Sequence, residues 1–115
     1  MFKRRKSIFI TKYEKSNSAH FEFRHFSEQI DSLYVPINQD IVFFKEYLKY
    51  LEPTKTPNGA TKFDACGINY YTKEQAQIMH EKIQNDKPKD HATLLSWLEK
   101  VISNPSEFGF YLWGV

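Results

Sequence analysis

Four histidines are the side chains of this chain whose ordinary pKa suits acid–base work near neutral pH. His20 and His25 stand five residues apart in a stretch that alternates as a strand, so they fall on opposite faces and cannot act together. His80 shares a helical face with Met79 and Ile83, the setting of a satisfied, half-buried histidine. His91 falls in the first turn of the next helix. HExxH and HxH spacings are both missing, so no metal site is expected. Cys66 is the single cysteine; it can form no internal disulfide and no thiolate zinc site. It has no lysine or arginine beside it to stabilise a thiolate, and before Gly67 it reads as a small packing residue at a turn. His20, Glu22 and Arg24 share one strand face and make up an acid–base constellation, for which a solvated charged ladder is the simpler reading. Neither GxGxxG nor GxxxxGK[ST] occurs. The sequence thus offers no catalytic, cofactor-binding or metal-binding residue.

The elements that would position these groups follow from periodicity. Ser7–Tyr13 is β-branched and aromatic, and His20–His25 alternates with Phe21 and Phe23 on one side; a turn at 15–18 makes residues 7–26 a β-hairpin. Ser27–Ile30 opens a short helical turn, and Tyr34-Val35-Pro36 is extended. A helix from Asn38 or Asp40 to Leu51 carries the stripe Ile41, Phe44, Tyr47, Leu48 and Leu51, and Pro53 stops it. Pro53, Pro57, Asn58-Gly59 and Gly67 mark a long connection, after which Ile68–Tyr71 is extended. Thr72-Lys73-Glu74-Gln75 is a capping box for a second helix, with Tyr71 and Ala76 at the staple positions. Asp90 is the N-cap of a third helix with the stripe Leu94, Leu95, Leu98, Val101 and Ile102. Phe108–Trp113 is apolar on both faces, as a strand inside a sheet is. The order predicts a single α+β domain over residues 1–115: a small, largely antiparallel sheet, built from an N-terminal hairpin and a C-terminal strand, packed by about three helices.

Composition agrees with a folded domain. Hydrophobic residues make 41% of the 115, and ten Phe, seven Tyr and two Trp supply large rings for a core. The net charge of +2 is too small to announce a nucleic-acid partner, although Lys3-Arg4-Arg5-Lys6 concentrates the excess. No apolar run reaches the roughly 20 residues that span a bilayer, and no apolar segment follows the basic N-terminus as in a secretion signal. A cytoplasmic location is expected.

Tyr34, Tyr47, Tyr50, Tyr70, Tyr71 and Tyr111, with Trp97 and Trp113, exceed what so small a core must bury. Tyr and Trp are enriched at interfaces, and Tyr50 and Trp97 lie off the stripes of their helices, which makes them candidates for partner contact. Residues Cys66–Ala76, Leu95–Lys100 and Gly109–Val115 resemble small immunity proteins of bacterial polymorphic or contact-dependent toxin systems. The resemblance implies a cytoplasmic, non-enzymatic protein that binds a cognate toxin domain. Inhibitors of nuclease toxins are often acidic, and an acidic patch from Asp64, Glu74, Glu81, Asp86 and Asp90 would serve here. The alternative is a small nucleic-acid-binding regulator that uses the basic N-terminus and the hairpin.

Overall fold

A computed structural model describes residues 8–10, 19–25, 31–52 and 62–114. Strand β1 (Ala19–His25) pairs antiparallel with β2 (Leu33–Pro36) on one side and with β4 (Gly109–Gly114) on the other, and β3 (Ile68–Thr72) pairs with β4, giving the order β2-β1-β4-β3. Helix α1 (Asp40–Tyr47) follows β2, α2 (Lys73–Asp86) follows β3, and α3 (His91–Ser103) leads into β4. The α+β class, the antiparallel sheet and the interior position of the C-terminal strand are those the patterning predicts.

The hairpin involves a different pair of strands. Both edges of β1 are occupied, and of the first predicted strand the described Ile10 bridges Tyr34 at the outer edge of β2 instead. The true N-terminal hairpin is β1–β2. The predicted turn at 15–18, the helical turn at 27–30, the loop residues Pro53–Gly59, the Lys3–Lys6 cluster and the side chains of His20 and His25 lie outside the described residues.

One face of the sheet meets the helices. Phe21, Phe23, Leu33, Val35, Tyr71, Phe110 and Leu112 are buried there against Phe43 and Tyr47 of α1, Met79 and Ile83 of α2, and Leu94, Trp97, Leu98 and Val101 of α3. Phe23 is at the centre, its ring edge-on to Phe9, Phe43 and Trp97 and tilted against Phe110. Edge-on and tilted packing suits the ring quadrupoles, and each pair adds roughly 0.5–1.5 kcal/mol beyond area burial.

The buried face of α1 differs from the predicted stripe. Ile41 is 79% exposed and Leu48 39%, whereas Phe43, Tyr47, Tyr50 and Leu51 are buried. Positions 43, 47, 50 and 51 are themselves a helical i, i+4, i+7, i+8 stripe, so the period is kept and the buried face is rotated away from the predicted one. The α-helix ends at Tyr47 and continues as a 3₁₀ turn over Leu48–Tyr50. Tyr50, one turn after Tyr47, stays on the buried side, and Leu48 falls at its margin. Phe43 and Tyr47 stack one α-turn apart.

Helix α2 starts as predicted. Thr72 Oγ1 accepts from the Gln75 amide at 3.1 Å, and the Thr72 amide donates to Gln75 Oε1 at 2.8 Å. Such a cap stabilises by about 1 kcal/mol. Asp90 occupies the N-cap position of α3 in a left-handed conformation, φ 58°, yet its side chain does not cap the helix. It accepts instead from the Ile8 amide at 2.9 Å, tying the N-terminal segment to the turn between α2 and α3.

Candidate interaction surface

The aromatic residues that seemed in excess divide into two sets. Tyr47, Tyr50, Tyr71 and Trp97 belong to the core. The expected exposure of Tyr50 and Trp97 is therefore corrected: they are 7% and 5% exposed. Trp97 Nε1 donates to the Asp31 carbonyl at 2.7 Å, and the Tyr50 hydroxyl donates to Asp86 Oδ2 at 2.7 Å. Both are large rings with a polar tip that finds a partner at the margin of the core. Tyr34, Tyr70, Tyr111 and Trp113 point the other way, because side chains alternate along each strand.

The registers place this second set in two rows across the outer face of the sheet. Glu22 of β1 lies between Tyr34 of β2 and Trp113 of β4, and Trp113 is opposite Ile68 of β3. In the next row Arg24 is opposite Tyr111, which is opposite Tyr70. The Tyr70 and Tyr111 rings are 5.6 Å apart. The Arg24 guanidinium carbon sits 4.1 Å from the Trp113 ring centroid, and Arg24 Nε lies 3.3 Å from Glu22 Oε2. Trp113 is 38% exposed. Of the acid–base constellation His20-Glu22-Arg24, two members are thus tied to one another on a flat sheet face.

The acidic residues predicted as a patch do not form a single one. Glu74 stands in the first turn of α2 and Asp86 is its last residue, so the 14 residues of the helix separate them by about 18 Å. Glu81 is exposed on the same helix. Asp64 is occupied in a turn, where Oδ1 accepts from the Cys66 amide at 3.0 Å. Asp86 accepts from Tyr50 and lies 3.7 Å from Lys49 Nζ, while Asp90 holds Ile8. Asp86 and Asp90 therefore have structural work, and charge reversal at either position perturbs the fold as well as the surface.

The remaining sequence candidates fall into structural roles. His80 Nε2 meets Glu99 Oε1 at 3.1 Å and links α2 to α3. Cys66 is exposed at its turn rather than packed, and no described hydrogen bond or ion pair joins its thiol to a base. No group of three His, Cys, Asp or Glu able to hold a metal occurs among the described residues. Between the 3₁₀ turn and α2 lies a hollow of about 100 Å³ lined by Tyr50, Tyr71, Gln75, Ile78, Met79 and Lys82, among others. It is too small for a cofactor-sized ligand, which needs roughly 300–1,000 Å³. Among the described residues no helix is long and apolar enough to cross a membrane.

The α1–α2 margin has a predictable alkaline signature. Burial, then the hydrogen bond to Asp86, pushes the Tyr50 hydroxyl up to about 12. Burial raises Tyr47 as well, with Asp90 adding to it. A tyrosine whose folded pKa exceeds its unfolded value near 10 contributes stability that is complete below pH 10 and is lost as pH rises through the folded pKa. Thermal unfolding followed between pH 8 and 12 is expected to show a falling midpoint above pH 10, with a shallower fall in Tyr50→Phe. Parallel curves for the two proteins would exclude Tyr50 as a source of that dependence.

The outer rows were missed by sequence reasoning, although a signal was present: Phe110–Trp113 and Ile68–Tyr71 are apolar at nearly every position, not at every second one. Comparison of the chain with protein-family models, with curated proteins and with solved structures finds no match in any of the three.

Proposed function

We propose that this chain is a non-enzymatic protein-binding inhibitor whose contact surface is the outer face of the β2-β1-β4-β3 sheet. The observation that carries the reading is the Tyr34, Tyr70, Tyr111, Trp113 and Arg24 array, gathered on the sheet face turned away from the helices. Trp, Tyr and Arg are the residues that most often dominate binding energy at protein interfaces. In its specific form the reading is a cytoplasmic immunity protein that neutralises a toxin domain. That form rests on the sequence resemblance, whose Cys66–Thr72 and Gly109–Val115 segments include the paired strands β3 and β4. The acidic residues on α2 are secondary to the sheet face in this proposal, and Tyr50 and Trp97 act as core.

Aromatic residues on a sheet also serve single-stranded nucleic acids, which stack on them and neutralise their phosphates with clustered Lys and Arg. Among the described residues the face carries one arginine, and a carboxylate sits 3.3 Å from it. That charge balance favours a protein partner.

The test is co-expression of the tagged chain with the product of the reading frame immediately upstream. A stoichiometric complex that survives about 1 M salt, where electrostatic screening acts within about 3 Å, is the expected result. Trp113→Ala is expected to weaken it by about 30-fold or more, the effect of losing roughly 2 kcal/mol at a hot spot. Absence of a complex, together with nucleic acid that washes off as salt rises, overturns the inhibitor reading in favour of a nucleic-acid-binding regulator.

A further inference from the structure

We infer that Arg24 is the anchor of the outer sheet face and that it receives, end-on, a carboxylate of the partner protein, an Asp or Glu side chain flanked by apolar residues. This rests on the protein-binding reading above and specifies its chemistry.

Arginine has five N–H donors in a planar fork. In Arg24 the Nε edge faces Glu22 Oε2 at 3.3 Å, and the guanidinium carbon lies over the Trp113 ring, 4.1 Å from its centroid. Among the described residues no hydrogen bond or ion pair engages its two terminal nitrogens. The pair Nη1 and Nη2 therefore presents the geometry that matches a carboxylate with two parallel hydrogen bonds. Holding a long side chain in one orientation normally opposes binding through lost rotamer freedom. Here the stack and the ion pair hold it before any partner arrives.

The surroundings select the ligand. Tyr111 stands directly across from Arg24, Tyr70 beyond it, and Trp113 with Ile68 in the adjoining row. These side chains flank the charged contact on its β4–β3 side and shield it from water there, which strengthens it. Arg24 is the more prominent member of its ion pair, with a side chain 41% exposed against 26% for Glu22. The face therefore offers donors to a partner before it offers an acceptor. A polyphosphate chain would have to lay successive anionic groups past Glu22, whereas a single carboxylate approaching the far edge of the guanidinium avoids it. The chemistry fits an acidic residue within an apolar protein segment.

The experiment pans a displayed library of random twelve-residue peptides on the immobilised full chain, then measures synthesised winners by titration. Wild type is expected to enrich peptides carrying Asp or Glu next to an aromatic or aliphatic residue. Replacing that acidic residue by its amide is expected to weaken binding to wild type at least tenfold. The same replacement should change binding to Arg24→Ala by less than about twofold, because the two sites are coupled. The peptide replacement needs no protein variant, so it reports even if Arg24→Ala folds poorly. Winners without an acidic residue, or winners indifferent to Arg24, overturn the anchor assignment and leave the protein-binding reading standing. No enriched peptide, together with retention of a twelve-residue oligothymidylate by the same face, overturns both.

Discussion

Phe23→Ala is expected to cost about 3–5 kcal/mol, the range for removing a buried aromatic ring without refilling its space. Phe23 is fully buried and is the point where β1, β4, α1 and α3 meet, in contact with the rings of Phe9, Phe43, Trp97 and Phe110. Collapse around the void would require four aromatic rings on different elements to shift together, which places the cost toward the upper end. Domains of this size are stable by about 5–15 kcal/mol, so the variant retains a fraction of its stability at best. Urea unfolding followed by tryptophan fluorescence checks this directly, because Trp97 lies 5.7 Å from Phe23. Ile41→Ala is the companion measurement. The sequence stripe places Ile41 in the core, whereas the structure leaves it 79% exposed. A change within about 0.5 kcal/mol, as at ordinary surface positions, agrees with the structure. A loss of 2 kcal/mol or more would place Ile41 in the core, as the stripe read from the sequence does.

That contrast shows where periodicity stops being informative. The spacing of α2 and α3 was readable because each is a regular α-helix of 13 or more residues, with a capping box before α2. In α1 the same 3.6-residue period admits two stripes, and the burial of Phe43 and Tyr50 selects the one that leaves Ile41 and Leu48 outside. The strands were legible as strands, but their neighbours were not. Residues 7–13 and 20–25 look like a hairpin because they are adjacent in sequence. The places beside β1 are taken by β2 and by β4, which comes from the other end of the chain.

The candidate surface is hidden from sequence for the same reason. Arg24, Tyr111 and Tyr70 come from three strands that only the order β1-β4-β3 brings side by side. Aromatic excess was visible in composition; which rings face outward depends on register, and a slip of one residue would exchange the two sets. Tyr50 and Trp97 illustrate this. Their polar tips reach Asp86 and the Asp31 carbonyl near the surface, while their rings complete the core.

A single buried polar side chain ties the turn before β3 to β4, and this yields the second large effect. Asn69 is fully buried. Its Oδ1 accepts from the Asp64 amide at 2.7 Å, and its Nδ2 donates to the carbonyls of Asp64 at 2.8 Å and Leu112 at 3.1 Å. The turn over residues 64–67 is thereby tied to β4, where the Gly114 amide donates to the Gly67 carbonyl at 2.7 Å. Gly114 cannot carry a side chain there, since a Cβ would come within 1.9 Å of the Ala65 carbonyl oxygen. Asn69→Ala removes the acceptor of the Asp64 amide and one donor from each of the Asp64 and Leu112 carbonyls, of which Asp64 keeps the Gly67 amide at 3.4 Å. At roughly 1–3 kcal/mol for each unsatisfied buried group, partly relieved by water entering at the exposed turn, the expected loss is about 2–4 kcal/mol. Hydrogen exchange is expected to show faster exchange at the Asp64 and Gly114 amides than at those of α3. Asn69→Asp separates hydrogen bonding from packing, because the carboxyl must keep its proton to donate to either carbonyl. Burial raises its folded pKa above the usual 3.9. Relative to wild type the variant is therefore expected to lose least below pH 4 and to lose more as pH rises through the folded pKa. A flat pH profile in Asn69→Asp, or a loss below 1 kcal/mol in Asn69→Ala, would show that the β3–β4 register holds without this residue. Because Trp113 is opposite Ile68 and Tyr111 opposite Tyr70 across that same pair of strands, Asn69→Ala is also expected to weaken partner binding although its own side chain lies on the inner face.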